Sequence, residues 1–288
     1  MILPNFTYLA PATLAEASKL AKEYDGKCKV MAGGTDIIVA MKEKVMAPEF
    51  IIDIKNIPGL DYIEYDQEKG LRIGALTKLR SIEKSLLVQE KYQAVSDAAH
   101  YVASTQVRSK GTMVGNLVNA SPSADTVPIL LAANAVLTVY NENGIREISM
   151  SDFYTGFKKT ALVPGDIVTE IRIPALAENQ KAAYIKHAVR KAMDLAIVGV
   201  AAIVTMNGDV CEDAKIALGA VAVNAVRANK AEDLLKGQKL TDELLEEAAS
   251  AAMESCHPIS DVRASADYRK DMVRVFTKRA IKKALESK

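Results

Sequence analysis

Two glycine-bearing loops about eighty residues apart carry the chemistry that is easiest to read in this chain: Ala32-Gly33-Gly34-Thr35-Asp36, entered from an apolar run, and Thr112-Met113-Val114-Gly115-Asn116. Glycine lets backbone amides converge on phosphate oxygens with no Cβ in the way, and the flanking hydroxyl and carboxamide groups add directed hydrogen bonds. The first loop does not fit the GxGxxG pattern or the P-loop, so a standard Rossmann or NTPase site has no support there. The amides of Gly33, Gly34 and Thr35, with the Thr35 hydroxyl, suit a pyrophosphate, while Asp36 reads as a cap for the next helix. The second loop runs through small residues to Asp125, whose plainer role is to cap a helix from Val127 to Ala133. Two such loops suggest one long ligand.

Other chemistry is thin. Cys28, Cys211 and Cys256 are far apart and form no CxxC, and His100, His187 and His257 are equally scattered. A disulfide framework, a zinc site or an iron–sulfur site made by this chain alone is therefore not expected, and a structural role is the better reading of all six. No convincing Ser/His/Asp or Cys/His arrangement is present, so no side chain is assigned as catalytic. With 37 Lys and Arg against 36 Asp and Glu, there is no global field to attract nucleic acid or an anionic membrane. The start of the chain, Met1 to Phe6, lacks the pattern of a secretory signal, and no stretch approaches the roughly twenty apolar residues that span a bilayer. A cytoplasmic protein is expected.

The elements that must position the loops can be placed from pattern. At 288 residues and 49% hydrophobic, the chain can bury more than one core. Thr13 and Glu16 have capping-box spacing and open a helix to about Tyr24, after which Lys29 to Ala32 reads as a short buried strand. Ile37 to Lys44 reads as helix and Phe50 to Asp53 as strand, giving a βαβ unit. Short strands follow at Leu71 to Gly74, Ala135 to Tyr140 and Ile167 to Ile173, with helices near Lys78 to Ser85, Gln93 to His100 and Val127 to Ala133. Pro174 ends a strand, and the junction is placed near residue 178. Beyond it, Ala182 to Val189, Ala196 to Met206 and Ala214 to Val223 are strand-like, the last two joined by a turn at Asn207, Gly208 and Asp209. Thr241 caps one helix, and Ala266 to about Leu285 forms another, with Met272, Phe276, Ala280 and Ala284 on its apolar face. Its basic residues, among them Arg269, Arg274, Lys278 and Lys283, read as a solvated face.

The ordered set of motifs resembles the FAD-binding subunit of the molybdenum hydroxylases, the xanthine dehydrogenase and carbon monoxide dehydrogenase group. The likeness covers essentially the whole chain. Its carriers are Ala32 to Asp36; Phe50 to Ile54 with Ile57, Pro58 and Gly59; Val107 to Asn116 running into Ala120 to Asp125; Gly156 to Thr160; and Glu170 to Pro174. One departure stands out. Related chains usually carry two consecutive glycines where this chain has Val114 and Gly115, so a positive φ at residue 114 is not expected.

The resemblance implies an α+β architecture: a two-subdomain FAD-binding fold of the PCMH (vanillyl-alcohol oxidase-like) type over 1–177, divided into about 1–56 and 57–177, then a C-terminal α+β domain over 178–288. It implies FAD as cofactor. Carried over by position, Ala32, Gly33, Gly34, Thr35, Asp36 and Ile37 bind the pyrophosphate, and Thr112, Gly115, Asn116 and Asp125 bind more of the dinucleotide. Val102, Val168 and Lys186 match further contacts, and Leu195 packs near one face of the flavin. Lys186 would then stabilise reduced, anionic flavin, against the plainer reading of a lysine on a half-exposed strand. Phe157 reads either as a residue near the acceptor's approach or as core packing.

The implied partners are a small [2Fe-2S] subunit and a large molybdenum-cofactor subunit. The implied role is to pass electrons from iron–sulfur clusters to an acceptor such as NAD+. Two other readings stay open: a nucleotide-binding scaffold without redox activity, and a self-contained flavin reductase.

Overall fold

The computed structural model describes residues 3–287; Met1 and Ile2, part of the N-terminal stretch read above, lie outside it, as does Lys288. The first unit is β1 (Thr7–Leu9), α1 (Leu14–Glu23), β2 (Cys28–Met31), α2 (Ile37–Lys42) and β3 (Phe50–Asp53). Its three strands are parallel in the order β1-β3-β2, so the βαβ reading holds and a third strand, too short to show a period, joins it. Thr13 caps α1 by accepting from the Glu16 amide at 3.2 Å, and Glu16 reaches back to the Ala12 amide at 3.0 Å. Lys44 is left-handed at φ +59, which stops α2 short of the expected end.

The middle of the chain contributes β4 (Ile63–Asp66), β5 (Gly70–Gly74), α3 (Leu79–Lys84), α4 (Leu86–Tyr101), α5 (Thr105–Arg108), α6 (Met113–Val118) and α7 (Val127–Ala132). It continues with β6 (Val136–Asn141), β7 (Gly144–Ser149), α8 (Met150–Phe153), β8 (Tyr154–Gly156), β9 (Lys159–Thr160) and β10 (Ile167–Ile173). Five of these strands form an antiparallel sheet in the order β4-β5-β10-β6-β7. The non-helical Tyr92 (φ −158, ψ 65) breaks α4, and the helix expected from Gln93 is its second piece.

The remainder holds β11 (Gln180–His187), β12 (Val198–Asn207), β13 (Val210–Gly219), β14 (Val226–Arg227), α9 (Asn229–Leu235), β15 (Gln238–Lys239), α10 (Asp242–Ala252) and α11 (Ala266–Glu286). Gly208 at φ +57 makes the β12–β13 turn. Strand β12 is central and buried on both faces, which accounts for the near-continuous apolar run from Ala196 to Val204. Its Ala201 and Ile203 join the core built around α4 and α7, whereas Val200, Ala202 and Val204 pack under α9, α10 and α11. One hydrophobic core thus crosses the junction that proline punctuation suggests.

Helix α11 buries Ala280 and Ala284 as expected, but Met272 and Phe276 are only half-buried and Val273, Thr277 and Ile281 complete its inner face. Arg269 is 4% exposed and donates to Ile197 O at 2.7 Å and Asp261 at 2.9 Å, so it is a buried tie and not part of the solvated basic face. Its neighbours Lys278 and Lys282 lie within 3.0 Å of Glu246 and 2.7 Å of Asp242, so helix α10 offsets that face.

Candidate functional site

Strand β2 delivers Ala32 to the C-terminal edge of the parallel sheet, and the chain must turn there to enter α2. Gly34 makes the turn at φ +72, a region costly for any residue with a Cβ. Among the described residues, the amides of Gly33, Gly34, Thr35, Asp36 and Ile37 donate to no protein acceptor; the first paired amide is that of Ile38, which bonds Gly34 O at 3.1 Å. Five successive N–H groups without a protein acceptor are available to an anion. Asp36 makes no side-chain capping bond, contrary to its expected role. Ala32 and Ile37 are half-buried and anchor the two ends of the turn against separate apolar clusters.

Gly33 has a different duty. A Cβ there would lie 2.1 Å from Lys110 O and 2.8 Å from Gly111 Cα, so the two expected loops meet backbone to backbone. Thr35 completes the contact, since a Cβ on Gly111 would sit 3.2 Å from its Oγ1.

The second loop is in fact the start of a helix. Thr112 (φ −113, ψ 157) caps α6 by accepting from the Gly115 amide at 2.9 Å, and a Cβ on Gly115 would stand 3.0 Å from that same oxygen. Gly115 therefore serves close approach rather than a left-handed turn. Val114 is helical and 7% exposed, and a β-branched residue is accommodated without strain. Asn116 accepts from Thr126 Oγ1 at 2.7 Å through Oδ1, leaving its amide nitrogen with no protein acceptor among the described residues.

Asp125 does not cap α7, whose N-cap Thr126 makes no side-chain capping bond either. Instead the Asp125 carboxylate, 8% exposed, pairs with Lys186 at 2.9 Å and lies 3.3 Å from the Tyr184 hydroxyl. Burial pushes the Asp125 carboxyl up to about 6, with Lys186 and Tyr184 pulling the other way. Lys186, 6% exposed at its side chain, also donates to Tyr101 O at 3.0 Å and Asp194 O at 2.8 Å. The half-exposed strand lysine is overturned: all three of its donors serve protein acceptors.

The expected residues thus fall into two groups. Ala32 to Ile37 adjoin Lys110, Gly111 and Thr112; Val102, Asp125, Lys186 and the segment before Leu195 gather around the end of α4. Helices α5 and α6 bridge them. Val102 is 8% exposed and Leu195 47%, while Val168, 5% exposed on β10, belongs to the main core. Phe157, 60% exposed at the β8–β9 turn, is not core packing.

Sequence reasoning overlooked the buried pair of Arg108 and Glu83, joined at 2.9 Å. The available signal was a basic side chain inside the Val107–Asn116 motif.

Residues 4–176 match the family described as the FAD binding domain in molybdopterin dehydrogenase, and residues 183–284 match the CO dehydrogenase flavoprotein C-terminal domain. The carbon monoxide dehydrogenase medium chain of Hydrogenophaga pseudoflava is 34% identical over 284 residues, 99% of this chain and 98% of that one. The glyceraldehyde dehydrogenase medium chain of Sulfolobus acidocaldarius is 34% identical over 282 residues, covering 98% and 99%. A solved structure of the Hydrogenophaga enzyme, lacking the Mo-pyranopterin moiety, superposes with a TM-score of 0.95 over 99% of both chains at 34% identity. The chain therefore belongs to the FAD-binding subunits of the molybdenum hydroxylases, oxidoreductases of several subunits, and its cofactor is FAD.

Proposed function

We propose that this subunit is the electron outlet of its complex, receiving electrons from a small [2Fe-2S] subunit that serves a large molybdenum-cofactor subunit and passing them to an acceptor such as NAD+. The observation that carries the reading is the run of five unpaired amides from Gly33 to Ile37, backed by the Gly33 contact with Lys110 and Gly111. The residues fit a flavin dinucleotide. Free amides suit a pyrophosphate, and the Asn116 amide nitrogen and the Thr112 hydroxyl proton are open to its polyol portion.

Bound FAD supplies a carrier that is filled one electron at a time and emptied in pairs. The chain's own task is to bind, orient and partly cover it. Residues Ala32 to Ile37 hold the phosphates, and Gly115, by lacking a Cβ, keeps Thr112 in place. Asp125 and Lys186 fix the turn bearing Val102, Val168 backs the site from the core, and Leu195 lies exposed beside it. The same reading places the domain junction at 177/178. Among the described residues no helix is long and apolar enough to cross a membrane, and the three cysteines are free thiols, which accords with a cytoplasmic location.

Spectroscopy tests the reading directly. The purified chain is expected to show flavin absorbance that bleaches with dithionite, and the native complex to reduce NAD+ when given its substrate. A colourless chain that takes up no added FAD would sink the cofactor assignment. NADH turnover with a dye by the isolated chain would favour a self-contained reductase over the relay.

A further inference from the structure

Three consecutive carbonyls at the end of α4 are held from three directions. Tyr101 O accepts from Lys186 Nζ at 3.0 Å, Val102 O from Arg108 Nη1 at 3.0 Å, and Ala103 O from the Met193 amide at 3.2 Å. Ala103 sits at φ +44, a backbone state that persists in a residue with a Cβ only where the surroundings enforce it. The middle of these three ties is the one that reaches back to the phosphate loop.

Arg108 is 6% exposed, and its remaining bonds run from Nε to Glu83 at 2.9 Å and from Nη2 to Thr105 Oγ1 at 3.3 Å. Glu83 is itself 5% exposed and takes further bonds from Arg80 at 3.0 Å and His100 at 2.9 Å. Burial works to raise the Glu83 carboxyl, but donors from His100, Arg108 and Arg80 outweigh it and hold it down at about 2. The guanidinium is therefore aimed by a permanent anion. A four-residue helix such as α5 has little stability of its own, so this anchor sets its position. Two residues beyond Arg108 the chain reaches Lys110 and Gly111, the backbone against which Gly33 is wedged.

We propose that Arg108 is a positioning residue for the bound flavin: from the last residue of α5 its fork grips the Val102 carbonyl, just ahead of the Lys110 and Gly111 backbone that supports Gly33, and so fixes the spacing between the turn at Tyr101 to Ala103 and the phosphate loop. The proposal rests on the FAD reading above. A lysine at 108 keeps the charge opposite Glu83, but a single ammonium cannot serve Glu83, Val102 O and Thr105 in fork geometry.

The test compares the full wild-type chain, Arg108→Lys and Val95→Ala, the last a truncation in the α4 core where the side chain is fully buried. Each is loaded with FAD and followed by visible circular dichroism of the flavin, FAD release rate and Tm. Arg108→Lys is expected to release FAD about tenfold faster and to change the flavin dichroism. Val95→Ala is expected to lower Tm with both flavin readouts at wild-type values. An Arg108→Lys chain with unchanged release and dichroism overturns the proposal, as does a Val95→Ala chain that shows the same flavin changes. If Arg108→Lys fails to fold, Thr105→Val replaces it, with a smaller change in the same direction expected and no change counting against the proposal. A wild-type chain that binds no FAD overturns the cofactor reading itself, and the positioning role with it.

Discussion

Replacing Gly33 with alanine is expected to abolish stable FAD occupancy and to cost about 1–3 kcal/mol of fold stability, the range for forcing atoms into a filled space. The added Cβ would stand 2.1 Å from Lys110 O and 2.7 Å from Lys110 C, where main chain and not a flexible side chain must yield. Moving that backbone shifts the loop that carries the five free amides away from the Lys110–Gly111 segment. Each hydrogen bond to a charged phosphate oxygen contributes about 1.5–3 kcal/mol, so losing two weakens binding by at least about a hundredfold. The matched control is Gly156→Ala, where the nearest atom to an added Cβ is Lys159 Cδ at 3.9 Å and no strain is expected. Fluorescence titration of FAD into both variants checks the expectation. A Gly33→Ala chain that retains wild-type affinity would show that the contact between loops is incidental to binding.

What could be read from the residues divides along physical lines. Elements defined by local pattern came through nearly to the residue: Phe50–Asp53 and Ile167–Ile173 match their expected bounds, and Thr13 and Thr241 cap the helices assigned to them. Capping and alternation are local properties, and a linear reading can see them. β1 escaped because three residues are too few to show a period. The second glycine loop was misjudged in form. Gly115 looked like a turn glycine, but its freedom is used to admit the Thr112 hydroxyl, a distinction that depends on where a neighbouring side chain points.

The side-chain roles most dependent on distant partners were the least legible. Arg269 sits among exposed lysines and arginines in a helix, yet carbonyls from Ile197 and an acidic loop at Asp261 draw it inward. Asp125 has the position of a helix cap, and Lys186 lies sixty-one residues away on a strand; only the packed sheet reveals that they neutralise each other. Family resemblance singled out both residues. It did not reveal that they bond one another, which changes the mechanism assigned to Lys186: with three protein acceptors, its direct duty is to hold the turn at Tyr101 and Asp194, and its charge reaches a ligand only net of Asp125.

That pairing gives the second large effect, a different pH response of two single variants. Removing one member of a buried ion pair leaves the other charge uncompensated, at a cost of about 3–5 kcal/mol. In the wild type the Asp125 carboxyl, raised by burial to about 6 from 3.8, binds its proton more tightly folded than unfolded, so its contribution to stability falls as pH climbs from about 4 to about 6 and is level above that. Lys186→Met removes the ammonium that restrains this rise, so the window extends upward and the variant should lose ground to wild type increasingly above pH 6. Asp125→Asn removes the titrating carboxyl itself, so this variant should lack the fall in stability between about pH 4 and about pH 6. The double variant leaves no stranded charge and should be more stable than the sum of the two single losses implies. Urea denaturation from pH 5 to 9 of the FAD-free chain, in which no ligand contributes, measures all three. Parallel pH slopes for the two single variants, or a strictly additive cycle, would mean that Asp125 and Lys186 do not act as one buried pair.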